Sequence, residues 1–186
     1  VKFSAIMLFT VIWLTIVYAP IAHMVWASDG MIFGWGALDF AGGTVVHINS
    51  GVARLVGVFF AGKRLGFLKE AMPPHSMVMT LIGASLLWVG WFGFNAGSNL
   101  EANGYAGLAM VNTLVCTAAA GFSWAMTEWV TRKKASMLGL ASGLVAGLVA
   151  VTPAAGFAGP AGAIVLGLVV SPICVVFCSV VKNALK

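Results

Sequence analysis

Three ionisable side chains lie inside or beside long apolar segments, and they are the first candidates for chemistry. Asp39 and His47 stand eight residues apart in the stretch DFAGGTVVHIN, and Arg54 follows seven residues after His47. Ionisable side chains within a bilayer are costly, usually face the protein interior and often mark a path for ions or protons. Their interpretation therefore depends on whether this chain folds in a membrane.

The composition indicates a membrane protein. Hydrophobic residue types make up 61% of the 186 residues and charged types only 8%, whereas soluble domains carry about 25% charged residues. Several apolar runs reach the length of about 20 residues that crosses a bilayer as a helix. The short alternating segments of a membrane β-barrel are not found in the sequence. The pattern predicts an all-α membrane protein, a polytopic helical bundle.

Six apolar runs predict six transmembrane helices, and the basic residues support that count. The predicted spans are Phe3–Pro20, Phe40–Ala61, Ser76–Phe94, Tyr105–Val130, Ser136–Val151 and Gly162–Val181. If the connections alternate between sides, nine of the ten Lys and Arg residues, including Lys186, fall on one side and Arg54 lies within a span. Because basic residues collect in cytoplasmic loops, we expect both ends of the chain in the cytoplasm. Topology then explains the net charge of +5, and nucleic-acid binding is not indicated.

Glycine spacing predicts close packing of the helices. Gly139, Gly143 and Gly147 recur every four residues within one predicted span. Such small-residue spacing lets helix backbones approach where lipid provides no hydrophobic drive for association.

His47 lies about seven residues into the second predicted span, roughly 10 Å deep at the helical rise of about 1.5 Å per residue. One interpretation is a core histidine that hydrogen-bonds a neighbouring helix. The other is a pore histidine, because a neutral imidazole offers one donor and one acceptor and could hold a small polar molecule or relay a proton. The spacing of residues leaves both interpretations open.

Asp39 begins the second predicted span, and several aromatic residues lie near span ends. The carboxylate of Asp39 is predicted to cap the helix by accepting from the N–H groups of Ala41 and Gly42. At an extracellular mouth it could also favour cations, and the two roles are compatible. The aromatic residues fit either an interfacial belt or a cation-attracting surface; they are Trp26, Trp35, Trp88, Trp91, Phe92 and Phe94.

Four longer stretches carry a family resemblance. They are GALDFAGGTVVHIN, GWFGFNAGS, MVNTLVCTAAA and GLVAGLVAVTPAAGFAGPAGA, and PIAHMVW before the second span also matches. Together they resemble the ammonium transporters of the Amt/Mep/Rh class over essentially the whole chain. The resemblance implies the eleven-helix ammonium transporter fold. Residues 1–186 would be a central fragment of one transporter domain, spans four to nine, and the protein a homotrimer with one pore in each protomer.

The resemblance also implies roles for individual residues. Trp26, Phe94 and Ser98 would recruit ammonium at an outer vestibule, and Trp91 and Leu87 would line the conduit below it. His47 would be the first of two facing pore histidines, and Asp39 would brace the outer mouth. The second histidine and an upper phenylalanine gate belong to family spans outside this sequence. Arg54 stands where the family usually has a small or apolar residue.

The implied function is transport of ammonium or ammonia across the plasma or inner membrane, for nitrogen uptake, through a hydrophobic pore. We expect no cofactor and no metal, and a PII-type regulator is a candidate partner at the cytoplasmic loops. An ammonium sensor and an Rh-type gas channel are the alternatives. An enzyme is not expected, because the polar residues within the spans are too few to bring a nucleophile, a base and an acid together.

Overall fold

The predicted architecture of six membrane-spanning helices is confirmed. The computed structural model describes residues 2–67, 69–70 and 72–184, so Lys186 lies outside the described residues. In this part of the chain no β-strand forms. Six helical segments are long and apolar enough to cross a membrane: Phe3–Gly34, Gly43–Ala61, Met77–Gly97, Gly104–Arg132, Met137–Ala154 and Pro160–Val181.

Most of these segments are built from an α-helix extended by a short stretch of another helical type. The α-helices are α1 (Phe3–Trp13), α2 (Ala19–Trp26), α3 (Met31–Gly34), α4 (Asn49–Ala61), α5 (Met77–Gly97), α6 (Gly104–Arg132), α7 (Met137–Val151), α8 (Pro160–Val176) and α9 (Lys182–Ala184). The extensions are π-helical at Leu14–Tyr18, Gly43–Ile48 and Phe177–Val181, and 3-10 helical at Thr152–Ala154.

The first helix is longer than the sequence predicted. The predicted end at Pro20 is wrong, because the helical path continues through α2 to Trp26. Proline lacks the N–H group that an uninterrupted α-helix requires. Here Pro20 lies in the first turn of α2, directly after the π-helical stretch Leu14–Tyr18, where the regular hydrogen-bond pattern is already interrupted.

The chain divides into two compact units, Val1–Pro73 and Pro74–Lys186. The first contains α1 to α4, and the second contains α5 to α9. In the second unit α6 is the central helix, because α5, α7 and α8 all pack against it.

Glycines at the α6–α7 interface confirm the close packing predicted from their spacing. A Cβ atom at Gly143 would lie 2.8 Å from the carbonyl oxygen of Ala120, and one at Gly147 would lie 2.9 Å from that of Cys116. Both distances are shorter than a carbon side chain can tolerate, so the two helices meet backbone to backbone. This close approach is the means by which helices associate within lipid.

A proline in α8 frees a carbonyl group that α6 satisfies. Pro172 lies inside α8, and its missing N–H leaves the carbonyl of Leu168, four residues earlier, without its helical donor. The hydroxyl of Ser123 on α6 donates to this carbonyl at 2.7 Å. The hydroxyl of Ser171 donates in the opposite direction, to Ala120 of α6, at 2.6 Å. Two side-chain hydrogen bonds therefore join α6 and α8 where lipid could not supply a partner.

Buried asparagines tie α6 to its other neighbours. The side-chain amide of Asn112 donates to the carbonyls of Ala155 and Ala158, at 2.8 and 2.7 Å. The amide of Asn95 on α5 donates to the hydroxyl of Thr113 at 3.0 Å. Neither contact was predicted from the sequence, because each joins residues that are distant in the chain.

Substituting Gly147 with alanine should destabilise the protein, because the added Cβ would also lie 2.6 Å from the Cβ of Ala120. Overpacking of this kind costs about 1–3 kcal/mol. Gly107→Ala in the same unit is the matched control, since a Cβ there meets nothing within 4 Å. Thermal unfolding of the full-length protein in detergent should show a lower midpoint for Gly147→Ala alone. Equal midpoints for the two variants would contradict the close contact.

Candidate functional site

The buried carboxylate of Asp39 caps the second span with four hydrogen bonds. Its Oδ1 atom accepts from the backbone N–H groups of Gly42 and Gly43, at 2.9 and 2.5 Å. Its Oδ2 atom accepts from Thr44 and Val45, at 2.9 and 3.1 Å. These are N–H groups at the start of a helix, which have no partner within the helix itself. The carboxylate therefore satisfies donors that the bilayer could not.

The predicted cap at Asp39 is correct in kind and wrong in one donor. Gly42 donates as predicted, but the donors beyond it are Gly43, Thr44 and Val45 rather than Ala41. The helical segment begins at Gly43 and not directly after Asp39. The N–H groups without a helical partner therefore lie further along the chain than predicted. Gly42 adopts φ 107°, a left-handed conformation that favours glycine, and this turn directs the N–H groups toward the carboxylate.

Trp26 is joined to the same turn. Its indole N–H donates to the backbone carbonyl of Asp39 at 2.9 Å. The side chain is nevertheless 43% exposed, so the bond holds the indole in place while leaving part of its surface open. The end of α2 and the start of the second span are thereby connected.

His47 lies in the π-helical stretch that Asp39 caps. Its backbone N–H donates to the carbonyl of Gly42, five residues earlier, at 3.1 Å, and its side chain is half-buried. π-Helical turns are rare and occur frequently at functional sites, because they change the direction in which a side chain points. The buried amide of Asn49, which donates to the carbonyl of Val45 at 3.2 Å, closes this stretch. We call Trp26, Asp39 and His47 the Asp39 group.

The other four predicted site residues form a stripe along α5 and its C-cap residue, Ser98, in the second unit. Leu87, Trp91, Phe94 and Ser98 are spaced by four, three and four residues, which places them on one face of a helix. The rings of Trp91 and Phe94 lie 5.3 Å apart, centre to centre, and are tilted by 58°. We call these residues the α5 stripe.

Hydrogen bonds orient two members of the α5 stripe. The indole N–H of Trp91 donates to the hydroxyl of Thr152 at 3.0 Å, which links α5 to the end of α7. The hydroxyl of Ser98 donates to the carbonyl of Phe94 at 2.7 Å. A hydroxyl has one hydrogen and two lone pairs, so Ser98 can still accept a hydrogen bond while its own proton is engaged. Phe94 is 37% exposed beside it.

Sequence analysis missed a buried acid, Glu128, at the end of α6. Its Oε2 atom accepts from both the N–H and the hydroxyl of Ser136, each at 2.8 Å. Its Oε1 atom lies 3.5 Å from the guanidinium of Arg132 and 3.4 Å from the indole nitrogen of Trp124. Gly139 leaves room for the carboxylate, since a Cβ there would overlap it. Glu128 thus connects α6 to the first turn of α7.

The spacing of Glu128 and Arg132 was the signal that could have revealed this acid. Opposite charges four residues apart share one face of a helix, and Ser136 follows as the cap of α7, accepting from Gly139 at 2.9 Å. Within residues 2–67, 69–70 and 72–184, no three His, Cys, Asp or Glu residues stand close enough together to hold a metal ion.

Replacing Asp39 with asparagine should destabilise the protein. An amide nitrogen cannot accept a hydrogen bond, so the two N–H groups now bound by one carboxylate oxygen would lose their partner, at about 1–3 kcal/mol each for unsatisfied buried groups. Asp29→Asn is the control, because Asp29 is 79% exposed and lies 3.7 Å from the exposed His23. Thermal unfolding of the full-length protein should show a clearly lower midpoint for Asp39→Asn and a midpoint that is unchanged within error for Asp29→Asn. A similar small change in both would argue against the cap.

Comparisons with known proteins agree with this arrangement of helices. The sequence profile of the Ammonium Transporter Family matches residues 1–186. The ammonium transporter Amt1 of Archaeoglobus fulgidus is 53% identical over 173 residues, which are 93% of this chain and 44% of that protein. The ammonium transporter of Aquifex aeolicus is 49% identical over 95% of this chain and 40% of its own length.

A solved structure gives the same result. The crystal structure of Mep2 from Candida albicans superposes with a TM-score of 0.87 at 40% sequence identity, over 93% of this chain and 39% of the Mep2 chain. The chain therefore spans about 40% of the length of the relatives it matches. With six apolar helices and a family profile that matches throughout, this multi-pass membrane chain belongs to the ammonium transporter family.

Proposed function

We propose that this protein transports ammonium or ammonia across a membrane. The observation that carries the proposal is the 49% and 53% identity to two proteins named ammonium transporters, over nearly the whole chain. We further propose that residues 1–186 form part of a single transporter domain and correspond to spans four to nine of the family.

The first step in this proposal is recruitment of the cation by Trp26, Phe94 and Ser98. Aromatic faces attract cations, and the Trp26 and Phe94 side chains are 43% and 37% exposed. The hydroxyl of Ser98, whose proton is donated to Phe94, would accept a hydrogen bond from an ammonium N–H. This combination supports selection of a small cation that carries N–H donors.

The second step is passage along Trp91 and Leu87 to His47. An apolar conduit removes water from the ammonium ion and so favours its neutral form, ammonia, plus a proton. The imidazole of His47, one donor and one acceptor when neutral, would hold ammonia or relay the proton. The π-helical stretch around His47 supports this role, because it breaks the regular helical direction at that residue. Asp39, whose carboxylate accepts four hydrogen bonds, would keep the π-helical stretch in place.

The location, assembly and partner of the transporter are part of the same proposal, and the resemblance to the family supports them. We infer a plasma or inner membrane location, a homotrimer with one pore in each protomer, and a role in nitrogen uptake. The basic loops would face the cytoplasm and offer the side at which a PII-type regulator could bind. We infer transport rather than catalysis, with no cofactor. An ammonium sensor and an Rh-type gas channel are the alternative functions.

Two substitutions of His47 in the full-length protein should show whether the imidazole holds ammonia or relays a proton. Glutamine keeps a neutral donor and acceptor but cannot take up a proton, whereas aspartate can. If His47 relays a proton, His47→Gln should lower ammonium uptake at least about tenfold and His47→Asp less, with altered selectivity against methylammonium. If it holds ammonia, the order should reverse.

Ile48→Val is the control for these variants, because Ile48 is the exposed neighbour in the same helical stretch. Uptake should be measured in proteoliposomes at equal protein amounts. Unchanged uptake and unchanged methylammonium selectivity in both His47 variants would remove His47 from the proposed pathway.

Ser98→Ala should weaken the apparent affinity for ammonium by about tenfold, because a hydrogen bond to a charged group contributes about 1.5 kcal/mol. Maximal uptake should change little. Ser85→Ala is a closely matched control, since Ser85 on α5 donates to the carbonyl four residues earlier at 2.9 Å, as Ser98 does. An unchanged KM for Ser98→Ala would count against cation recruitment and favour the gas channel.

A further inference from the structure

Thr152 directly follows α7, at the place where a proline ends the α-helix. Pro153 has no N–H group for the carbonyl of Val149, four residues earlier, and the N–H of Thr152 donates there instead. The carbonyl of Leu148 thus lacks this backbone donor, and it accepts from the hydroxyl of Thr152 at 2.8 Å. The single proton of the hydroxyl is therefore engaged within its own helix.

The bond to Leu148 decides how the hydroxyl of Thr152 can act toward α5. A hydroxyl has one hydrogen and two lone pairs, so the oxygen faces α5 as an acceptor. An indole offers one N–H donor and no acceptor, and the indole of Trp91 donates to Thr152 at 3.0 Å. Thr152 is 0% exposed, so the acceptor is enclosed by the second unit itself.

Contacts on both sides of this bond restrict its geometry. The buried amide of Asn112 on α6 donates to two carbonyls of the turn that follows Thr152, at 2.8 and 2.7 Å, and so fixes the end of α7. The ring of Trp91 lies 5.3 Å from that of Phe94, centre to centre. A hydrogen bond at the N–H and a contact between rings together limit rotation of the indole.

We propose that Thr152 is a positioning residue that keeps the N–H donor of Trp91 away from the conduit. The inference rests on the proposed function, in which the half-buried Trp91 lines an apolar passage for ammonia. With its N–H engaged, the indole presents its ring face and carbon-bound hydrogens to a passing molecule. An N–H group released into the passage would instead bind ammonia or water, because an unpaired polar group is costly where water is scarce. Thr152 thus acts on transport through Trp91, without touching the substrate.

Ammonium uptake by the full-length protein in proteoliposomes tests the consequence for transport. Thr152→Val keeps the shape of the side chain and removes the acceptor. The maximal rate of uptake should therefore fall by about tenfold, the effect of one hydrogen bond to the moving molecule. The KM should not change, because Phe94 and Ser98 are untouched. Thr152→Ser keeps the hydroxyl and should restore the rate of the wild type. An unchanged maximal rate in Thr152→Val, or a serine variant as slow as the valine variant, would overturn the proposal.

A double-mutant cycle separates this role from the support that the hydroxyl gives to α7. Thr152→Val also removes the bond to Leu148, whereas Trp91→Phe keeps an aromatic ring that has no N–H. In the Trp91→Phe background, Thr152→Val should lower the maximal rate by less than about twofold, since no donor is left to release. An equal loss in both backgrounds would assign the effect to helix support and overturn the proposal.

Thr117→Val is the matched control for helix support. The hydroxyl of Thr117 is equally buried and also donates to the carbonyl four residues earlier, at 2.6 Å. Its loss should leave the maximal rate within about twofold of the wild type, because Trp91 keeps its acceptor. A loss as large as that of Thr152→Val would again point to helix support and count against the proposal.

Hydrogen exchange of the Trp91 indole tests the contact without any transport measurement. In protein that contains isotopically labelled tryptophan, the NMR signal of this N–H is identified by its loss in Trp91→Phe. In deuterated water the signal should fade slowly in the wild type and in Thr152→Ser, and at least about tenfold faster in Thr152→Val. Equal exchange in the wild type and Thr152→Val would overturn the proposal. If the wild type transported no ammonium, the proposed function would fail, and the exchange rates would still show whether Thr152 holds the indole.

Discussion

The structure depends on one constraint: within a bilayer, backbone N–H and carbonyl groups must find their partners inside the protein. Regular helices meet this requirement along most of their length, and the informative residues are those where the helix pattern is broken. At the start of the second span, Asp39 accepts from four N–H groups that have no helical partner. In α8, Pro172 frees the carbonyl of Leu168, and Ser123 of α6 donates to it. Each break is repaired by a specific side chain.

The same constraint explains why α6 holds the second unit together. Its small residues let the backbones of α7 and α8 approach, and its polar residues then bond across those short distances. Glu128 illustrates the combination, because its carboxylate reaches Ser136 at 2.8 Å and occupies space that a side chain at position 139 would fill. Packing and hydrogen bonding are therefore not separate contributions at this interface. A glycine on one helix makes room for the polar contact made by another.

The two ionisable residues that flank His47 differ in how their charges are accommodated. Asp39 is buried and surrounded by N–H donors, so its charge is balanced by the turn that it organises. Arg54 lies on an exposed apolar face along a groove, and an arginine at the centre of a span costs about 2.5–3.5 kcal/mol on insertion scales. An acid that is satisfied locally serves the architecture. The charge of Arg54 is offset by neither of the two ion pairs in the described part of the chain.

Hydropathy, basic-residue alternation and glycine spacing were enough to predict six spans, the all-α class and tight helix contacts. These properties arise from short stretches of chain and from the solvent around them. The motifs were enough to indicate the family. The pairing of Ser123 with Leu168, of Asn112 with Ala155 and of Glu128 with Ser136 could not be predicted. The roles of His47, Trp26 and the α5 stripe in transport stay predictions. Hydrophobic periodicity shows which residues are helical. Which carbonyl a hydroxyl reaches depends on how two helices dock, and that docking is a property of the folded protein.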